Sequence, residues 1–313
     1  MKPDLIISPL TLGTAQLGLD YGIANAEGKP DEAKAFSIIS TALDNGITCI
    51  DTAAAYGDSE KVIGNYFRSV SGKRENIVIV TKLRLGQINP GETDRSIMRS
   101  LERSAENLAT GHIDILLLHD PKEYITHGRE ISKCFQRMVS EGMVGMAGAS
   151  CYCIDDIKGM LEDPVFSVFQ IPVNLLDKAV NSPEEISSLR GKIIFARSIF
   201  LQGLFFIDPH RLKGKMKEAG IFINRIRSIA GELNITVNEL ALRYVMSLGF
   251  ADSMVIGADN PAHLKQNIDL IRYGPLPGDL VTQIGDRLKG APEWLLKPYM
   301  WNTMTGEEAS SGS

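Results

Sequence analysis

Asp51, Tyr56, Lys82 and His119 are residue types that together can reduce a carbonyl group, and each follows or ends a run of strand-forming residues. Carbonyl reduction needs a hydride donor at carbon and a proton donor at oxygen. A tyrosine can supply the proton, because its pKa of about 10 is drawn down when a neighbouring ammonium stabilises the phenolate. Lys82 is the candidate ammonium, and Asp51 is the carboxylate that would keep it charged and in place. His119 can donate a hydrogen bond to the carbonyl oxygen and stabilise the developing alkoxide. Singly, each has a plainer reading: a strand-end Asp caps the next helix, a loop Tyr packs, and a strand-end Lys reaches water. Their common placement favours the chemistry.

That placement implies a barrel. In GITCIDTAAAYGDSE the run Ile47 to Ile50 ends at Asp51, with Tyr56 in the loop that follows. NIVIVTKL ends at Lys82, and HIDILLLHDP ends at His119 before a proline that stops the strand. Eight parallel strands closed into a (β/α)8 barrel present their reactive groups at the C-terminal strand ends. Strands are expected at Thr11–Thr14, Ile47–Asp51, Ile77–Lys82, Ile113–His119, Gly145–Ala149, Val168–Gln170, Ile193–Arg197 and Met254–Ile256. Helical periodicity lies between them, as in Glu32–Asn45 with Ala35, Ile38, Ile39 and Ala42, and in Thr93–Leu108. Two helices, Ile221–Leu233 and Val237–Met246, precede the last strand, so the connection after strand seven is enlarged. Residues 1–290 are read as one barrel domain, and 291–313 as a C-terminal loop with a disordered end, GEEASSGS.

Composition is that of a soluble globular chain: 313 residues, 44% hydrophobic, 23% charged. A formal net charge of -5 makes no electrostatic case for nucleic acid or an acidic membrane as partner. No apolar stretch is long enough to span a bilayer, and the first residues lack a basic segment followed by a long apolar one, so a cytoplasmic location is expected. Cys49, Cys134, Cys151 and Cys153 fit a reducing compartment, and the spacing of the last two suits neither a disulfide nor zinc. No metal site is assigned.

The motifs LGTAQLG, GITCIDTAAAYGDSE, IVTKL, IDILLLHDP, VGMAGAS, FQIPVNLLD, ARSIFLQGLF and VIGADNPAHLKQN resemble, in order, those of the aldo-keto reductases. The resemblance runs from about Leu10 to Asn267. It implies a barrel oxidoreductase using NADP(H) or NAD(H), with Asp51, Tyr56, Lys82 and His119 as the family's tetrad and Tyr56 as general acid/base. It further implies that Gly13 and Thr14 lie by the nicotinamide ribose, and that Ser150 and Gln170 contact the carboxamide. Cys151 replaces the usual Asn, and Asn174 matches a common neighbour of Gln170. Arg197 stands where many members stack a Tyr on the nicotinamide, and a guanidinium can also lie flat on a planar ring. Ser198, Leu201, Gln202 and Gly203 match the loop beneath the pyrophosphate. Gly257, Asp259, Asn260, His263 and Asn267 match positions that contact the adenosine end.

Members preferring NADP usually carry Lys or Arg at that end, whereas here Lys265 is the nearest cation. A carboxylate at Asp259 would repel a 2′-phosphate and could accept from a 2′-hydroxyl, so NAD use is expected to be possible; Asp259 could equally cap the helix starting near Pro261. Substrate contacts are expected from Asp20, Tyr21, Tyr56, Pro121, His119 and Trp301. QLGLDYGIAN is similar to a subgroup associated with sugar metabolism, which points to a sugar or sugar derivative alongside simple aldehydes. Two other classes compete: a regulatory protein retaining the cofactor pocket with little turnover, and a metal-dependent barrel hydrolase using His119, Asp120 and Asp51. Oligomeric state is left open.

Overall fold

Side chains along a strand alternate between its two faces, so in a closed barrel every second residue points into the interior. Val78, Val80, Cys49, Ile115, Leu117, Val168 and Phe195 form such an interior cluster. The next residues in the same rows are Lys82, Asp51, His119, Gln170 and Arg197. The rows that fill the barrel thus end in polar groups at its C-terminal mouth.

The computed structural model of the chain describes residues 6–303, apart from 71–73, 87, 89–90, 178–179 and 181. Its strands are β1 (Leu10–Gly13), β2 (Cys49–Asp51), β3 (Val78–Leu83), β4 (Ile113–Leu118), β5 (Val144–Ser150), β6 (Phe166–Pro172), β7 (Ile193–Arg197) and β8 (Ser253–Ile256). All neighbours pair in parallel, and β1 pairs with β8 to close an eight-stranded barrel. This is the expected (β/α)8 fold, with strand ends shifted by a few residues. A register shift interrupts the β5–β6 pairing between Ala147 and Gly148.

Helices cover the outside and bury the second core. Glu32–Asp44 places Ala35, Ile38, Ile39 and Ala42 inward, and the Asp31 side chain caps its first turn by accepting from Lys34 N. The connection after β7 is enlarged as expected: three 3-10 turns, Leu201–Phe206, Pro209–Arg211 and Gly214–Glu218, precede the helices Ala219–Glu232 and Val237–Ser247. Beyond the barrel the structure differs from the expected loop. Residues Glu293–Leu296 form a helical turn and Pro298–Thr303 a 3-10 turn, because Trp294, Leu295 and Trp301 bury against the body. The expected disordered end, 306–313, lies outside the described residues.

Candidate active site

At the barrel mouth the Lys82 ammonium donates to Asp51 Oδ1 at 2.7 Å and to the Thr52 carbonyl at 2.9 Å, and is 1% exposed. Asp51 Oδ1 also accepts from Gln170 Nε2 at 2.8 Å. Lys82 Nζ lies 4.9 Å from the centre of the Tyr56 ring, and the Tyr56 and His119 rings meet edge to face at 5.8 Å. The four residues named first from the sequence are therefore in one cluster.

Their protonation differs from expectation in one respect. Burial pushes the Tyr56 phenol up, and the Asp51 carboxylate adds to the rise, against a smaller lowering by Arg197. Lys82 lies over the Tyr56 ring and is bonded to Asp51, and the net direction at the resting phenol is upward rather than downward. Tyr56 is thus held protonated, the state a proton donor needs. Burial lowers the Lys82 pKa, with Asp51 opposing the shift. His119 is lowered to about 3 by burial and by the charges of Lys82, Arg197 and Arg84, so it is neutral at pH 7. Its buried Nδ1 has no hydrogen-bond partner among the described residues.

The loop carrying Tyr56 is held by a close backbone contact. A Cβ on Gly18 would lie 1.8 Å from the Tyr56 carbonyl oxygen, and one on Gly57, at φ +55°, would lie 2.4 Å from the Gly18 carbonyl oxygen. Below it, Thr52 Oγ1 donates to Ser59 Oγ at 2.9 Å, and Thr14 Oγ1 lies 2.7 Å from the same atom. Thr14 Oγ1 also donates to the Asp51 carbonyl at 2.8 Å. Sequence reasoning missed Gly18 and Gly57 as positioning residues; the Gly-rich spacing in LGTAQLG was the available signal.

A cleft of about 330 Å³ opens over this cluster and runs across the strand ends. Near the cluster it is lined by Ser150, Gln170 and Arg197, with Gly13, Thr14 and Tyr21 on the β1 side. Ser198, Gln202, Gly203, Gly257 and Asp259 also line it. Ser198, Leu201 and Gln202 hold φ of 61°, 46° and 53°, a left-handed backbone uncommon outside glycine and often found at ligand-binding loops. Ile23 N donates to the Gln202 carbonyl at 3.0 Å, tying the β1 loop to the β7 loop.

Other expected residues lie elsewhere. Leu201 is buried in the core, and Trp301 is buried with its indole donating to the Leu295 carbonyl at 3.2 Å, so neither lines the cleft. Asp20 is exposed and Pro121 is buried beside the next helix, and neither lines the cleft. Asn267 Oδ1 accepts from Asn238 at 3.1 Å between two helices, and His263 accompanies the helix cap, where Asn260 rather than Asp259 accepts from His263 N. Asn174 holds a turn by accepting from Leu176 N and Asp177 N. Cys151 is fully buried, with its thiol against the Gln170 carbonyl, so no amide-like contact is available there. All four cysteines are free. Among the described residues no group of three His, Cys, Asp or Glu converges as a metal site, and no helix is long and apolar enough to cross a membrane.

The sequence matches the aldo/keto reductase family over residues 9–287. The chain belongs to this family. It is similar to the aldo-keto reductase YhdN of Bacillus subtilis, 26% identical over 282 residues covering 82% of this chain and 83% of that one. It is also similar to D-arabinose 1-dehydrogenase of Saccharomyces cerevisiae, 26% identical over 334 residues with 98% and 94% covered. The holo form of an aldo-keto reductase from Bacillus halodurans shares the fold, with a TM-score of 0.74, 22% identity, and 93% and 96% coverage. This aldo-keto reductase is an NAD(P)H-dependent oxidoreductase acting on small-molecule carbonyls. Its cleft suits a nicotinamide dinucleotide: polar groups lie along its length, and the buried Nδ1 of His119 and Nε of Arg197 lack protein partners among the described residues.

Proposed function

We propose that this reductase converts an aldehyde or ketone to the alcohol with Tyr56 as the proton donor, and the reverse with Tyr56 as the base. The observation that carries the reading is the joint placement of Tyr56, His119 and the buried Lys82–Asp51 pair beside a cleft that is also lined by Ser198, Gln202, Gly203, Gly257 and Asp259. The reduced nicotinamide supplies the hydride when bound. Neutral His119 offers an N–H to the carbonyl oxygen, and Tyr56 delivers its proton as negative charge develops there. Lys82, over the Tyr56 ring, stabilises the phenolate left behind, and Asp51 with Gln170 fixes that ammonium. Ser150 is assigned to the nicotinamide carboxamide, Gly13 and Thr14 to its ribose, and Ser198, Gln202 and Gly203 to the pyrophosphate.

Asp259 supports acceptance of NAD(H), since it lines the cleft and is not the helix cap. A hydroxylated carbonyl such as a sugar is the substrate class favoured, supported by the polar walls Tyr21, Tyr152 and Gln202 and by the sugar dehydrogenase among the relatives. Asp20, the residue first suggesting sugars, lies outside the cleft lining and carries none of this reading. The test is nicotinamide absorbance against aldoses and simple aldehydes with each cofactor. Tyr56→Phe is expected to lose roughly 10²–10⁴-fold in kcat. A mutant as active as the parent would remove Tyr56 from the proposed role.

A further inference from the structure

Arg197 ends the inward row of β7, and its guanidinium is held from three sides. Nη2 donates to the Cys151 carbonyl at 2.9 Å, Nη1 donates to Ser198 Oγ at 3.1 Å, and the guanidinium carbon lies 4.8 Å from the centre of the Tyr152 ring. Tyr152 is in turn backed edge-on by Tyr299 of the C-terminal segment at 5.3 Å. Among the described residues no carboxylate pairs with Arg197; Asp177, whose carboxyl feels its charge, forms no ion pair with it. Arg197 thus presents an uncompensated cation in the wall of the cleft, and its charge reaches both Tyr56 and His119.

We infer that Arg197, steadied by Tyr152, makes the site discriminate between the two redox forms of its cofactor, weakening the oxidised form relative to the reduced one. The inference rests on the proposed reaction. A carbonyl oxygen that reaches Tyr56 and His119 requires the hydride-donating ring carbon within about 3.5 Å of the carbonyl carbon, which brings the nicotinamide into the same end of the cleft as Arg197. The oxidised ring carries a formal positive charge and the reduced ring is neutral. A fixed cation in the cleft wall, beside the bound ring, therefore opposes one form and leaves the other nearly untouched. An aromatic residue at this position would favour the oxidised cation through its ring face. An arginine reverses that preference. For carbonyl reduction the consequence is easier release of spent cofactor.

The two cofactor forms differ only at the nicotinamide, so the ratio of their dissociation constants cancels contributions from the diphosphate and adenosine. Fluorescence titration of the full chain with NAD⁺ and NADH, and with NADP⁺ and NADPH, gives that ratio without turnover. In Arg197→Met the oxidised-to-reduced ratio of Kd should fall by about tenfold, and Arg197→Lys should retain most of the wild-type ratio. Tyr152→Leu should move the ratio part of the way and Tyr152→Phe should not, because the ring face is kept. An unchanged ratio in Arg197→Met, with that variant folded by circular dichroism and Tyr56→Phe still inactive, overturns the inference and leaves the reaction assignment standing. Full activity in Tyr56→Phe would overturn the reaction assignment instead, whatever the ratio does.

Discussion

The barrel carries a buried ion pair at each end, and the two are built differently. At the C-terminal mouth Lys82 meets Asp51 at 2.7 Å, with both side chains under 5% exposed. At the opposite end Arg74 meets Asp114 at 2.7 Å, with 20% of the arginine side chain exposed. The lower pair is tied into the backbone: Asp114 Oδ2 accepts from Ile79 N at 3.0 Å, and Arg74 donates to the Ile77 carbonyl at 2.6 Å. It stitches the start of β4 to the start of β3. The upper pair instead faces a cleft, a neutral histidine and a protonated tyrosine. On the proposed reaction, similar charges thus serve anchoring at one end and proton chemistry at the other, in keeping with the division of labour in such barrels.

Removing one partner at each end should separate these uses. Lys82→Met is expected to lower kcat by roughly 10²–10⁴-fold, because the phenolate of Tyr56 loses its cation. It should also reduce stability, since Asp51 then keeps Gln170 as its remaining side-chain donor. Asp114→Ala is expected to cost about 1–3 kcal/mol of stability, since Ile79 N loses its acceptor while the partly exposed Arg74 can turn to water. Its kcat below the melting transition should match the parent. Urea denaturation paired with steady-state rates reads both, and a large kcat loss in Asp114→Ala would dissolve the contrast.

The upper end was legible in the sequence for a local reason. Strand periodicity and residue type lie within short segments, so Asp51, Lys82 and His119 could be assigned to strand ends and Tyr56 to the loop after one. What was not legible depends on contacts between distant segments. The Gly18–Gly57 approach that seats Tyr56 joins two loops, and the upward push on the Tyr56 phenol comes from burial. Asn267 and Trp301 follow the same rule. Their types suit ligand contact, but helix packing turns Asn267 toward Asn238, and apolar burial takes Trp301. Arg74 and Asp114 are not legible in the sequence, because nothing local distinguishes an anchoring pair from a surface one.

Acid should also act at the upper end through His119. Its pKa is about 3 in the folded protein against an ordinary value of 6.5. Between those values the unfolded chain binds a proton that the folded chain does not, so this group's contribution is complete above pH 6.5 and is lost as pH falls toward 3. His119→Gln should therefore show a shallower decline of unfolding free energy than the parent between pH 7 and 4.5. Parallel curves from urea titrations at each pH would show that His119 titrates normally.

The smallest expected effect lies in a charge-conserving swap at the lower end. Arg74 uses its planar fork: Nη2 serves Asp114 while Nη1 serves the Ile77 carbonyl. Lysine keeps the charge and loses that two-pronged geometry, so one backbone acceptor is left to water. Because the arginine is partly exposed, water can reach it, and Arg74→Lys should cost only about 1 kcal/mol with no change in kcat. Chemical denaturation measures the first quantity and initial rates the second. A drop as large as that of Asp114→Ala would mean that the fork geometry, more than the neutralised charge, holds β3 and β4 in register.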